Sequence, residues 1–502
     1  MIAAWCAVVI LSPALCAALG YTRLDAGRLR GISTVAATLM LATAMAAPFS
    51  AELGGWALEP VPGGPLLRVD AVTSVLPALA AALWLFSVVV TPRMTLDPLG
   101  LQRIAAGTCI TTVMFLSANV AVLVVAWGLS LLTTGAARRP PGGRPHAALS
   151  YLVGSALLVV AGAALTTLPS LAGTTAHTVG LALIAAAALL RQGIFPFHAW
   201  VPALFDHERL GPAIHFCAPQ LGTYVLVVLV VPHAPPELLR VIAVLALVSA
   251  VYAAALAVVQ RSARRACAYL FMSQSALVVA GLDCTSHEAL TGGLVLWLSS
   301  SLAFLGLARC VLVLEARRGR LDLSRHHGGY ERKPLLAAAF LLLGLSCTGF
   351  PGTLGFIGEE LLLGGAVEDF PLLGFLVVAT GAFTGLAVLR MYFSLFAGAP
   401  GDVVRLDLRP REAAGFAAMV VLLIALGLLP TPAVRSRAAA SEQLLHQRSP
   451  AQRRAAGAAF VPGAFGCGAL CAGVFTMSSG SLLAFGAGGC TAGAQPCGRR
   501  YP

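Results

Sequence analysis

Charge is scarce in this chain, and lysine is almost absent. Only 11% of the 502 residues are charged, where a soluble domain carries about 25%. That shortage argues against a water-soluble domain. Lys333 is the single lysine, so nearly all positive charge is arginine, a bias of genome composition rather than of function. Catalytic motifs are missing too. No nucleotide-binding glycine loop, nucleophile elbow, iron–sulfur cysteine spacing or haem motif occurs. The chain is therefore expected to carry out no redox or hydrolytic chemistry itself and to hold no cofactor. Its twelve cysteines make no metal pattern. Cys6, Cys109, Cys217, Cys267 and Cys347 stand singly in apolar runs, as small packing residues. Cys467, Cys471, Cys490 and Cys497 gather near the end without a histidine or a second tight pair to complete a zinc site.

What is present is apolar sequence. Hydrophobic residues make up 58% of the chain, and the mean hydropathy is +0.86. A membrane span needs roughly 20 apolar residues, and only helices or closed barrels satisfy their backbone in lipid. The runs here are continuous and rich in Leu, Ala and Val rather than alternating, so helices are expected. About fourteen spans are legible, near 2–20, 32–49, 71–91, 104–118, 119–135, 149–167, 176–195, 212–231, 236–258, 266–282, 289–313, 334–366, 372–397 and 413–430. The run at 2–20 lacks a basic start and a clear cleavage site, and reads as a first span rather than a removed signal. The run at 334–366 is too long for one straight crossing. Gly349, Pro351, Gly352 and Gly355 interrupt it, which predicts a broken helix.

The net charge of +12 does not point to nucleic acid, because the arginines sit in short loops where positive charge fixes orientation. Arg23, Arg28 and Arg30 follow the first span, Arg93 and Arg103 the third, Arg138, Arg139 and Arg144 the fifth. Arg261, Arg264 and Arg265 follow the ninth, and six basic residues from Arg317 to Lys333 the eleventh. Loops 168–175 and 232–237 are free of them. This alternation predicts a multi-pass protein of the cell's inner (cytoplasmic) membrane with both termini facing outward. Residues 431–502, rich in Ala, Gly, Ser and Arg, read as a low-complexity, disordered tail. The basic character of that tail does not suit the outward side.

Ionisable groups inside a bilayer are costly, and each is a functional candidate. Arg191 ends an apolar run and precedes Pro196 and His198. A freed carbonyl beside these two groups makes a hydratable polar spot; an ordinary interfacial loop with Trp200 as a belt residue is the alternative. Glu359 and Glu360 lie in the interrupted run. Adjacent helical residues point about 100° apart, so only one of the pair is expected to face inward, where low dielectric favours a carboxylate able to exchange protons. An exposed pair at a re-entrant corner is the other reading. His215, Gln220 and Tyr224 share roughly one helical face. The histidine is either a proton relay or a packing residue. Ser273, Gln274 and Ser275, with the serines at 299–301, suit interhelical hydrogen bonds.

Four stretches carry a resemblance. Phe195-Pro196-Phe197-His198-Ala199-Trp200-Val201-Pro202 resembles the P-F-H-x-W-L-P signature of the antiporter-like membrane subunits of respiratory complex I (the subunit M, N and L type). These subunits are related to the large subunits of multisubunit cation/proton antiporters. Arg264-Arg265-Ala266-Cys267-Ala268-Tyr269 with Ser273-Gln274 resembles the K-R-x-x-A-Y-S-S-x-S-Q stretch. The run from Gly349 to Glu359 resembles G-L-P-G-T-x-G-F-x-G-E. Leu67-Arg68-Val69-Asp70-Ala71 resembles the start of that family's third span. The likeness runs from about residue 60 to 430 in the expected order.

The resemblance implies an all-α, polytopic transmembrane bundle of about 14 helices with two inverted repeats and broken helices. On that pattern residues 1–103 are N-terminal helices. Residues 104–260 form the first half, with its break near Pro196. Residues 261–430 form the second, with its break at Pro351 and Gly352. It implies a proton path through Arg191, His198, His215 and Glu359, with no metal. Arg191 stands where the family usually has a lysine. Glu359 stands where it has a glutamate or lysine. The chain departs elsewhere: Trp127-Gly128 replaces a Trp-Glu pair, and Gln220 and Ser300 stand at or near lysine positions. The expected function is a membrane subunit of a proton-translocating oxidoreductase or related complex, at most a non-redox part of an NADH:quinone oxidoreductase-like translocase. Asp206 and water are further candidate carriers. The alternatives are a non-conducting scaffold subunit, or a cation/proton antiporter or ion-coupled uptake subunit. Expected partners are other membrane subunits, the lipid bilayer and protons or a monovalent cation, with no nucleic acid.

Overall fold

The computed structural model describes residues 2–448 except 23, 53–54, 59–64, 135–146, 169, 171–173, 285, 329, 370 and 399–406. All of these belong to one compact unit, residues 1–459. Its described elements are helices apart from one small hairpin, Trp56–Leu58 paired antiparallel with Leu67–Val69. Among the described residues ten helical stretches, one of them the interrupted run Leu210–Val230, are long and apolar enough to cross a membrane, and four shorter apolar helices accompany them.

The first group is α1 (Ile2–Leu19), α2 (Ala26–Ala44), α3 (Ala47–Glu52), α4 (Leu76–Val90), α5 (Pro98–Leu116) and α6 (Val120–Ser130). Short polar residues start several of them. Asp25, Asp97 and Asn119 each accept a hydrogen bond from a backbone N–H of the first turn, satisfying donors that lipid could not. Then come α7 (Ala147–Thr167) and α8 (Thr175–Gln192). Helix α8 ends where Gly193 turns left-handed, at φ 72°, a conformation that glycine takes without the strain of a Cβ. The chain reverses over residues 194–199 and resumes as α9 (Trp200–His207), the break expected at Pro196.

The expected span at 212–231 is not one helix. It splits into α10 (Leu210–Cys217) and α11 (Leu221–Val225), the latter running into a π turn at Leu226–Val230. Pro219 supplies no backbone donor, and Gln220 takes a left-handed conformation, φ 54°. A proline and one strained residue suffice to part a helix whose composition is uniformly apolar.

Helices α12 (Pro236–Val259), α13 (Ala263–Asp283) and α14 (His287–Arg318) follow. Helices α13 and α14 form the middle of the bundle and are almost wholly buried. Their backbones touch: a Cβ on Gly281 would fall 2.8 Å from the Cα of Gly293. The expected break in 334–366 lies between α15 (Pro334–Cys347) and α16 (Leu354–Asp369). Helix α16 packs along α14, with a Cβ on Gly292 falling 2.5 Å from the Leu362 nitrogen, so small residues set this approach. Helices α17 (Pro371–Phe396) and α18 (Pro410–Leu428) complete the apolar set.

The expected disordered tail needs correction at its start. Thr431–Gln447 form a further helix, α19, packed on α14. Arg437 drives its docking: buried, it donates to the carbonyls of Val72 at 3.0 Å and Ala71 at 2.9 Å and to Ser74 Oγ at 3.4 Å. The composition of 431–447 is polar, but its buried stripe, Arg437, Ala440, Ser441 and Leu444, is helical in spacing. Residues 449–502 lie outside the described residues.

Candidate functional site

Arg191 occupies the last turn of α8 and is 3% exposed. Its Nη2 donates to Ser130 Oγ at 3.0 Å. The guanidinium carbon lies 3.8 Å above the Phe216 ring and 5.3 Å from that of Trp127. Among the described residues no carboxylate lies within ion-pair distance of it, and Nη1 makes no hydrogen bond. Two aromatic faces and a hydroxyl thus take the place of an acid. Gly128, beside Trp127, brings no side chain to the charge.

His215 directly precedes Phe216 on α10 and is buried against α4 and α5. Its Nδ1 is 3.1 Å from Ser87 Oγ, and its Nε2 is 3.0 Å from Thr108 Oγ1. A neutral imidazole accepts from one hydroxyl and donates to the other. A small cavity of about 10 Å³ borders His215, Ser130, Thr133, Thr111, Arg103 and Phe216, space for about one water. It links the histidine to the hydroxyl that holds Arg191.

His198 does not join this group. It is half-buried on the turn after α8, beside the exposed Phe195, with Tyr252 edge-on at 5.4 Å. No hydrogen bond or ring contact ties it to Arg191, His215 or Glu359. Asp206 is also elsewhere, near the basic loops, paired with Arg265 and, at 3.9 Å, with Arg320.

A row of uncharged polar groups crosses the centre. Gln192 Nε2 donates to Thr223 Oγ1 and, at 3.4 Å, to the Gln220 carbonyl. Gln220 Nε2 donates to Ser300 Oγ at 2.9 Å. Ser275 Oγ donates to the Gln192 carbonyl at 3.0 Å, and Trp297 Nε1 to the Pro219 carbonyl at 3.1 Å. The break at 218–220 therefore exposes backbone and amide to the interior, where α8 and α14 use them. The hydroxyls of Ser273, Ser299 and Ser301 and the amide of Gln274 are buried in α13 and α14 and make no hydrogen bond within the described chain.

Glu359 lies on α16, which packs along α14. Its carboxylate fills the space that a side chain on Gly349 would need: a Cβ there would fall 2.1 Å from Oε2. Gly349 is left-handed, φ 62°, so the turn after α15 both breaks the helix and makes room for the acid. Oε1 is buried and without a hydrogen bond. Gly381 on α17 borders the same carboxylate. A Cβ on Gly355 would lie 3.2 Å from Ser299 Oγ, which sets the first turn of α16 against the polar stretch of α14. Glu360 is exposed. The 100° offset between adjacent helical residues separates the two acids.

Two ionisable groups buried within apolar helices were not foreseen. Arg309, fully buried in the last third of α14, donates to Thr91 Oγ1 at 3.1 Å and to the Gly211 carbonyl at 3.2 Å. Asp283 closes α13, 2% exposed, with neither carboxylate oxygen hydrogen-bonded and Arg448 as the charge near it. Both interrupt apolar runs as single charges, which was the available signal.

Residues 148–384 match the family described as NADH:quinone oxidoreductase/Mrp antiporter, transmembrane. The chain is 27% identical over 306 residues to NADH-quinone oxidoreductase subunit N 2 of Solidesulfovibrio magneticus, covering 59% of this chain and 64% of that one. It spans between 45% and 64% of the length of the curated relatives it first matches. Its fold is similar to a chain of respiratory complex I from Thermus thermophilus with bound NADH, with a TM-score of 0.78 at 22% identity, over 88% of this chain and 99% of that one. It is similar also to a chain of the Mrp complex from Dietzia sp. DQ12-45-1b, with a TM-score of 0.77 at 18% identity, over 90% and 99%. The match to that family thus covers residues 148–384, a little under half of the chain, and the fold of the chain is the one shared by these chains of respiratory complex I and the Mrp complex.

Proposed function

We propose that the chain is a membrane subunit of a proton-translocating oxidoreductase or related multisubunit complex, and that Glu359 is the group that takes up and releases the proton. The observation that carries this reading is the Glu359 carboxylate itself, half-buried at a helix break beside Gly349, with Oε1 buried and unpaired. A carboxylate so placed can pass a proton to water and regain one. Arg191 takes no part as a carrier, since a guanidinium stays charged. Its role is a fixed positive potential next to the polar row. His215, between two hydroxyls and beside the small cavity, is the titratable group that can relay protons in the first half.

Partners in this reading are other membrane subunits of the complex. The membrane is the cell's inner (cytoplasmic) membrane, with the basic loops on the cytoplasmic side and the termini outside. Protons are the transported species, and a monovalent cation is the variant that ion-replacement assays distinguish.

A second reading, a non-conducting scaffold, is favoured by one observation. Arg191 has aromatic rings where a switchable lysine would need an acid. Proton movement in vesicles holding the assembled complex separates the two. Replacing Glu359 by Gln should cut it by well over half with assembly intact. Unchanged movement in variants of Arg191, His215 and Glu359 alike would establish the scaffold.

A further inference from the structure

A cavity of about 490 Å³ lies between the α4–α5 turn, the start of α10 and the end of α14. Four arginines and two carboxylates line it. Arg209 and Arg320 are exposed at its mouth, each with a carboxylate: Asp97 for the first, Asp206 for the second. Arg264 lies deeper and pairs with Glu315 at 2.7 Å. Arg309, fully buried, forms the floor and is the exception. Its partners are the Thr91 hydroxyl and the Gly211 carbonyl, both also in the cavity wall, and its Nε makes no hydrogen bond.

The other three buried arginines have an acid nearby or a substitute for one. Arg448 donates to the Cys284 carbonyl at 3.5 Å, with Asp283 as the charge near it. Arg191 lies over two rings. Arg437 holds two carbonyls and a hydroxyl, in a corner that also contains Asp70. Arg309 has neither ring nor acid among the described residues, and it alone borders an open cavity. A buried guanidinium cannot shed its proton, and an unpaired buried charge is strongly unfavourable. Among the described residues nothing supplies the missing negative charge, while space next to the cation is available.

We propose that this cavity binds a small monovalent anion, with Arg309 as its principal charge. A singly charged anion suits the site better than a dianion, because the carboxylates of Asp97 and Glu315 face the same space and Arg309 is the one buried lining guanidinium without an acid. The site lies among the basic loops, away from Glu359, and does not rest on the proton reading.

The test uses the full-length chain, in its complex, in a neutral detergent free of anionic lipid, so that no headgroup supplies the charge. Thermal unfolding is followed while sodium gluconate is replaced by sodium chloride or sodium formate at constant ionic strength. A saturable rise in Tm is expected with the small anions. Arg309→Gln should move half-saturation upward by at least about tenfold, and Arg309→Lys by less. Glu315→Gln should act in the opposite direction and tighten the response, because it removes a negative charge and releases Arg264. This second variant decides the matter if Arg309→Gln does not fold. Glu359→Gln should leave the response as in the wild type. A Tm indifferent to the anion, an undiminished response in Arg309→Gln, or an unchanged or weaker one in Glu315→Gln would overturn the site.

Discussion

Gln220 Nε2 donates to Ser300 Oγ at 2.9 Å, joining the broken helix α10–α11 to α14. Two neutral side chains thus meet where the family resemblance places lysines at or near both positions. A pair of lysines there would repel; an amide and a hydroxyl bond. The centre of the chain is therefore a neutral polar seam that begins at Gln192, next to the fixed cation Arg191.

The seam is cohesive, and this can be measured. Gln220→Leu leaves Ser300 without its donor and removes the Oε1 to which Thr223 Oγ1 donates at 3.4 Å. The expected loss is about 1–3 kcal/mol of stability, the cost of an unsatisfied buried polar group. A double-mutant cycle with Ser300→Ala should show coupling of about 1 kcal/mol, read from thermal unfolding in detergent. Additive effects would mean that the two side chains do not interact.

Gly349 is predicted to be irreplaceable for function. A methyl group there meets Glu359 Oε2 at 2.1 Å and sits on a left-handed backbone at φ 62°. Gly349→Ala should cost about 1–3 kcal/mol and turn the carboxylate out of its place. Proton movement should fall nearly as far as in a Glu359 variant while the subunit still inserts and assembles. The measurement is proton uptake per assembled complex.

The aromatic support of Arg191 predicts a further effect. Phe216→Leu removes the ring 3.8 Å from the guanidinium and keeps an apolar side chain. The expected destabilisation is about 2 kcal/mol, mostly the lost cation–π contact. Phe216→Leu in an Arg191→Met background should cost clearly less. Equal losses in the two backgrounds would show that the ring only fills space.

Topology is open to a direct check. Ser324 and His233 are both exposed, on loops of opposite predicted side. A membrane-impermeant maleimide should label Ser324→Cys only in inverted vesicles and His233→Cys only in right-side-out ones. The reverse pattern would invert the proposed orientation.

The all-helical membrane architecture was legible because continuous apolar runs leave a chain no other solution in lipid. The two long interruptions were legible as well, since Pro196 and the Gly349-Pro351-Gly352 group act locally. The break at 218–220 was not. One proline in an apolar run is often absorbed within a transmembrane helix, and the left-handed turn at Gln220 depends on neighbours that bond its side chain. Helix α19 was missed because its docking rests on Arg437 reaching carbonyls more than 360 positions away. For the candidate site, the sequence marked Arg191, His215 and Glu359 by residue type. Their surroundings, with rings under the arginine, hydroxyls on both sides of the histidine and a glycine against the acid, come from packing between distant segments. His198, prominent as part of a motif, makes its contacts with Phe195 and Tyr252 instead.

The most direct measurement compares wild type, Glu359→Gln and Glu359→Asp for proton movement into sealed vesicles under a fixed driving reaction of the assembled complex. The account predicts that the glutamine form loses well over half of the movement and that the aspartate form retains a substantial part. Wild-type movement in the glutamine form, at equal assembly, would contradict the claim that this carboxylate carries the proton.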